Sequence, residues 1–196
     1  MIDKAFEFIR DELNNHLITR IPMEDSERVV ISNVIQQEEG TASVSDLKDD
    51  RVLLSLIHLE EERIFKDQRK SVSNSNGQVL YREPDIKLNL FVIFSCHFKN
   101  YLTGLKNLSE VISFFQAHNV FDKKDYPALD ARLNRLIMDL HSFSLDQNFQ
   151  FWQSLGGKFL PSTMYKMRVL LFQEEELQSV SVPITETQHD FKHSAQ

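Results

Sequence analysis

Leu88-Asn89-Leu90-Phe91-Val92-Ile93-Phe94-Ser95-Cys96 is the densest apolar run in this 196-residue chain. It is far shorter than the ~18 apolar residues a membrane span needs. Its β-branched and aromatic content reads as a buried strand rather than a helix. Working outward, Tyr101, Leu105, Leu108, Ile112 and Phe115 follow at spacings of four, three, four and three. That period predicts a helix with one apolar face over about 99–118, with Phe114 beside the stripe. His118-Asn119 is its expected end, with Asn tolerated in a left-handed cap. Asp122-Lys123-Lys124-Asp125 reads as a solvated turn.

Further downstream, Arg135–Phe143 alternates. Leu136, Met138 and Leu140 point one way, and Ile137, Asp139, His141 and Phe143 the other. Ser144-Leu145-Asp146-Gln147 fits a capping box. It opens a short helix on which Leu145, Phe149 and Trp152 are expected to stack, and Gly156-Gly157 stops it. Tyr165–Phe172 is a last central strand, with Lys166 and Arg168 opposite Tyr165, Met167 and Val169. Pro183 confines Val180–Ile184 to a sheet edge.

Upstream, Ile2, Phe6, Ile9, Leu13 and Leu17 mark an amphipathic helix over 2–18. Val29–Ile35 reads as a strand, broken by Glu38-Glu39-Gly40, with loop over 40–50. Arg51–Arg63 is a long strand candidate with Leu53, Ile57 and Leu59 on one face and Val52, Leu54 and Leu56 on the other. Residues 66–80 are polar and turn-rich, and Asn76-Gly77 is a hairpin signal. The expectation is a flexible excursion or long hairpin within one domain over 1–185, then a disordered tail over 186–196.

Composition narrows function mainly by exclusion. The net charge is −7, which disfavours nucleic acid as a partner, since phosphate binding needs concentrated Lys and Arg. The single cysteine rules out an internal disulfide and sits within the apolar run at Cys96, where it reads as a small buried hydrophobe. Acids interleave the first residues, so no secretory leader is read there, and the expected location is the cytoplasm or a particle assembled in it. The 5 glycines form neither G-x-G-x-x-G nor a Walker loop, so no nucleotide cofactor is expected. There is no nucleophile elbow or H-E-x-x-H. His189 and His193 have metal-ligand spacing but no third ligand nearby, so no metal is assigned. Asp139 and His141 share a strand face without a third catalytic group. Glu60-Glu61-Glu62 and Glu174-Glu175-Glu176 read as solvated strand exits. The aromatic set around Trp152 reads as core.

Several of these segments carry a resemblance. Leu88–Ser95, Leu108-Ser109-Glu110-Val111-Ile112-Ser113-Phe114-Phe115-Gln116, Pro127-Ala128-Leu129, Phe151-Trp152-Gln153-Ser154-Leu155-Gly156, Pro161-Ser162 and Tyr165-Lys166-Met167-Arg168 together span most of the last two-thirds of the chain. They resemble the N-terminal domain family of tail-terminator (cap) proteins from phage-tail-like contractile injection systems. The resemblance implies a single α/β (α+β) domain. A mixed sheet of about five or six strands would be packed by the N-terminal helix and the second long helix. It also implies a non-enzymatic role: a ring, expected to be hexameric, on the baseplate-distal end of the inner tube and sheath. Such a protein ends polymerisation and anchors the sheath. Candidate contacts are Lys166, Arg168, Asn76, Gly77, Val180 and Val182. Two other classes stay open, a cytosolic protein-binding adaptor and an enzyme or ligand module built from scattered residues.

Overall fold

The computed structural model describes residues 1–21, 27–34, 50–62, 71–75, 78–82, 86–155, 159–171 and 180–181. The element order is α1 (Ile2–Arg20), β1 (Val29–Ile31), β2 (Arg51–Glu61), β3 (Ser71–Ser75), β4 (Gln78–Arg82), β5 (Ile86–His97), α2 (Tyr101–Ala117), β6 (Val120–Asp122), β7 (Leu133–His141), α3 (Leu145–Ser154), β8 (Ser162–Leu171) and β9 (Val180–Ser181). The six-stranded sheet has the order β1-β2-β5-β8-β7-β6. It is mixed: β1 runs parallel to β2, and every other pair is antiparallel. The expected strand 88–96 lies within β5. β5 lies at the centre, with β2 on one side and β8 on the other.

Alternation on β5 divides the interior in two. Leu90, Val92, Phe94 and Cys96 face the helices and belong to the main core. Tyr165, Met167 and Val169 of β8, and Leu136 and Met138 of β7, lie on the same side. α1 closes this core with Phe6, Phe8, Ile9, Leu13 and Leu17, and α2 with Val111, Phe114 and Phe115. The rings interlock: Phe115 lies 5.3 Å from Phe94 and 4.8 Å from Tyr165 between centroids. Such pairs add about 0.5–1.5 kcal/mol each beyond area burial. The opposite face holds a smaller cluster of Ile93, Trp152 and Met164 beneath α3.

The expected helix face of α2 is rotated. Its buried residues are Gly104, Asn107, Val111, Phe114 and Phe115, whereas Tyr101 is exposed. At Gly104 the helix lies against Phe98 and Cys96, where a Cβ would be in ordinary van der Waals contact at 3.5–3.7 Å. The helix settles onto that side, and Phe114 becomes central. The helix ends at His118 as expected, but His118 has φ −131° and the left-handed cap is absent. Among the described residues, the non-glycine with positive φ is Asp50 (φ 70°). Its carboxylate accepts the Lys99 N–H at 2.8 Å, tying the start of β2 to the end of β5.

Other boundaries shift for local reasons. β1 is shorter than the expected 29–35. Its parallel register reaches only Ile31↔Leu54, after which Ser32 donates to Leu54 O at 3.1 Å. β2 carries an irregularity between Leu56 and His58, so the strict two-face alternation expected there is reset halfway along. β6 was not expected. Val120-Phe121-Asp122 pairs with Arg135–Ile137 and sinks Phe121 into the core. A second sheet, β3-β4-β9, was also unforeseen as a unit. The hairpin signal marks the junction between β3 and β4, which pair from Ser71↔Arg82 to Ser75↔Gln78. The loop 40–49, Glu174-Glu175-Glu176, His189, His193 and the tail lie outside the described residues.

Candidate functional site

The outer face of the sheet, opposite α1 and α2, combines charge with exposed aromatic surface. Register brings its residues together. Lys166 of β8 pairs across to Phe91 and Asp139, and Arg168 to Asn89 and Ile137. Arg168 Nε donates to Asp139 Oδ2 at 2.7 Å. Lys166 Nζ lies 3.9 Å from Glu60 Oε1 and 5.9 Å from the Phe91 ring centroid. Asn89 Nδ2 donates to Glu62 Oε2 at 3.0 Å and to Glu60 Oε1 at 3.5 Å. The acidic end of β2 is therefore laced to the sheet rather than simply solvated. Lys166 and Arg168 face this side as expected, each beside an acid of its own chain. An exposed pair of this kind contributes about 0–1 kcal/mol, so it balances charge more than it holds the fold.

A run of rings crosses the same face. Phe91 lies 5.9 Å from His58 and 5.2 Å from His141. His141 lies 5.3 Å from Phe143, which lies 5.7 Å from Phe151. Phe151 meets Trp152 at 5.6 Å, and Trp152 meets Phe159 at 5.6 Å. α3 is anchored by the predicted capping box: Ser144 Oγ accepts the Gln147 N–H, and Gln147 Oε1 accepts the Ser144 N–H. The expected stacking on this helix is wrong in one respect. Leu145 and Phe149 are 74% and 71% exposed, and only Trp152 is buried. At about 100° per residue, the buried side is centred between Trp152 and Phe151, which leaves Leu145 and Phe149 on the flank. Phe159 is exposed beside them in the ring series. The sequence signal for this apolar patch was the four-residue spacing of Leu145 and Phe149 beside Phe151-Trp152, two apolar directions on a ten-residue helix.

The remaining candidate contacts are not brought to this face among the described residues. Val180 pairs with Leu80 in the small sheet, while Asn76, Gly77 and Val182 lie outside the described residues. Chemically reactive groups are held quiet. Burial pushes the Cys96 thiol up to about 12 and the Tyr165 hydroxyl up to about 12. Neither supplies an anion near neutral pH. Among the described residues no three His, Cys, Asp or Glu side chains gather as metal ligands. No described helix is long and apolar enough to cross a membrane. Asp139 is committed to Arg168, and His141 packs against two phenylalanines. The face offers apolar area and balanced charge, which suits contact with another folded surface.

Comparison with known proteins bears on the family and the fold. The family profile described as the Pvc16 N-terminal domain matches residues 5–186. No curated protein matches the chain. Among solved structures, the fold is similar to the sheath/tube terminator of an extracellular contractile injection system, PVC, in its extended state. The TM-score is 0.67 at 14% identity, covering 100% of this chain and 64% of that one. It is also similar to the tube-terminating cap of the anti-feeding prophage. There the TM-score is 0.58 at 12% identity, covering 91% of this chain and 60% of that one. The chain thus spans under two-thirds of the length of either structure.

Proposed function

We propose, for a chain that belongs to the Pvc16 N-terminal domain family, that it caps the baseplate-distal end of a contractile tail. The observation that carries the reading is a family match over nearly the whole chain, joined to a fold shared with two terminators. Its partners in this reading are the sheath and inner-tube proteins and further copies of itself, arranged as a closed cyclic ring of about six around the tube, the number being the one the resemblance implies. Lys166, Arg168, Asn76, Gly77, Val180 and Val182 are proposed contact residues, and Leu145 and Phe149 join them. The role is structural rather than catalytic. Support comes from the buried, unreactive Cys96 and Tyr165 and from the paired charges of the outer face. Nucleic acid has no part in this reading, which fits the acidic balance of −7.

The physics of a stacked tube calls for such a protein. Each ring of a tube exposes at its growing end the surface that the next ring will bind. A terminator matches that surface on one side and fails to reproduce it on the other. This takes apolar contact area and sheet edges, not a catalytic centre. The test is to add gold-labelled purified chain to uncapped sheath–tube particles and image them. Label confined to the baseplate-distal ends supports the cap. Label along the whole sheath, or none, rejects it.

A further inference from the structure

We infer that copies of this chain join head to tail through the two ends of the six-stranded sheet, the open half of β2 on one copy lying beside the open half of β7 on the next. The inference rests on the ring reading above and gives it a contact. Among the described residues, both terminal strands of the sheet are short and pair with only half of their neighbours. β1 pairs only with Val52–Leu54, although β2 runs on to Glu61. β6 pairs only with Arg135–Ile137, although β7 runs on to His141. Among the described residues nothing pairs with the outer edge of β2 from Leu56 to Glu60, or with that of β7 beyond Met138. The last edge bond on β7 is Met138 N–H to Asn119 O at 2.8 Å. Backbone groups point outward at every second residue, so the N–H and C=O of Leu140 face the open side. An open edge of this kind is a template for one thing, an extended strand.

Side chains select the partner edge. Leu56 and Leu59 pair with Val92 and Leu90, two core-facing residues, yet are 44% and 41% exposed. At the other end, Leu140 pairs with core-facing Tyr165 and is 55% exposed. It sits at a groove of about 330 Å³ between α2 and β7, walled by Ile112 and Phe115. All three leucines thus lie on the helix side of the sheet. When one copy's β2 extends the next copy's sheet at β7, the helix sides align, and Leu56 and Leu59 arrive at the groove beside Leu140. The contact uses different surfaces on the two copies, so it propagates and closes as a ring when the rotation per copy allows.

The full-length chain tests this by sedimentation velocity and by cross-linking. Leu140→Lys and Leu59→Lys each place a charge in the contact and are expected to weaken self-association at least about tenfold. Folding is checked by Trp152 emission. Cross-linking holds the test if a lysine variant fails to fold. Mixed Leu59→Cys and Leu140→Cys chains, oxidised with diamide, are expected to give one-to-one covalent dimers, while each variant alone gives none. Buried Cys96 does not compete. Homodimers from either variant alone, no cross-link in the mixture, or rings unchanged in both lysine variants overturn the edge contact while leaving the ring reading intact. A wild-type chain that stays monomeric overturns both.

Discussion

The two faces of the central sheet differ in kind. The helix side is closed by α1 and α2 and packed with interlocking rings, and its central residues, Phe94 and Leu136 among them, are fully buried. Among the described residues, the outer side is covered at one end, where Trp152 of α3 sits over Ile93 and Met164. Elsewhere it shows balanced charge and half-exposed aromatics. One face therefore holds the fold together, and the other is free to vary with what it touches. That division explains how a fold can persist at 12–14% identity to its structural relatives. The core face constrains pattern and volume, and the outer face carries less of that packing constraint.

Substitutions on the two faces test this division. Phe94→Ala should destabilise by about 3–5 kcal/mol in urea melts, as a large cavity opens among Phe115 and Tyr165. Trp152→Ala should cost less, about 2–3 kcal/mol. Its Nε1 is buried without a partner, and losing it relieves part of the ~1–3 kcal/mol such a group costs. Equal losses at both sites would break the contrast between a main core and a satellite one. Trp152 is the only tryptophan, so its emission reports α3 directly. Cys96 sharpens the same contrast. Its thiol should stay unmodified by a disulfide reagent at neutral pH in the native chain and react fully in denaturant. Fast native labelling would mean that the core face is open.

Acid brings a smaller effect. The Arg132 side chain and backbone N–H hold the Asp130 carboxyl down at about 2, and Arg135 lowers Asp122 in the same way. A carboxyl depressed in the folded state stabilises it above its ordinary value of 3.8. That contribution fades as pH falls from there toward about 2. Asp130→Asn should therefore lower stability modestly at neutral pH, converge with the parent chain as pH falls toward about 2, and so flatten the acid limb between. An unaltered limb would show that this pair carries no linkage. The smallest stability effects belong to the outer face. Arg168→Gln should change stability by about 0–1 kcal/mol and Phe149→Ser by under about 0.5 kcal/mol. Both should still impair incorporation into tails, measured by pelleting with particles. Full incorporation of both would remove the outer face from the account.

Much of the fold was legible because hydrophobic periodicity records burial on the residue's own element. β5, β8 with its Tyr165, Met167 and Val169 alternation, and the Ser144 capping box could all be read this way. What could not be read depended on partners distant in sequence. The face that α2 buries is set by its packing against β5 and Phe98, and the reset of β2 follows from its pairing with β5. β6 is three residues long, too short to show a period. The exposure of Leu145 and Phe149 depends on where α3 lands, which a ten-residue pattern leaves open. The candidate site was legible only at Lys166 and Arg168. A docking surface has no partner within the chain, and so nothing in the pattern marks it as different from core or solvent.

The cap reading is tested most directly by electron microscopy of tail particles from cells lacking this chain, with tube lengths and sheath ends scored. The account predicts overlong or variable tubes and sheaths that slip or contract early, restored to uniform length when the chain is supplied again. Particles of normal length with intact, normally capped ends in its absence would contradict it.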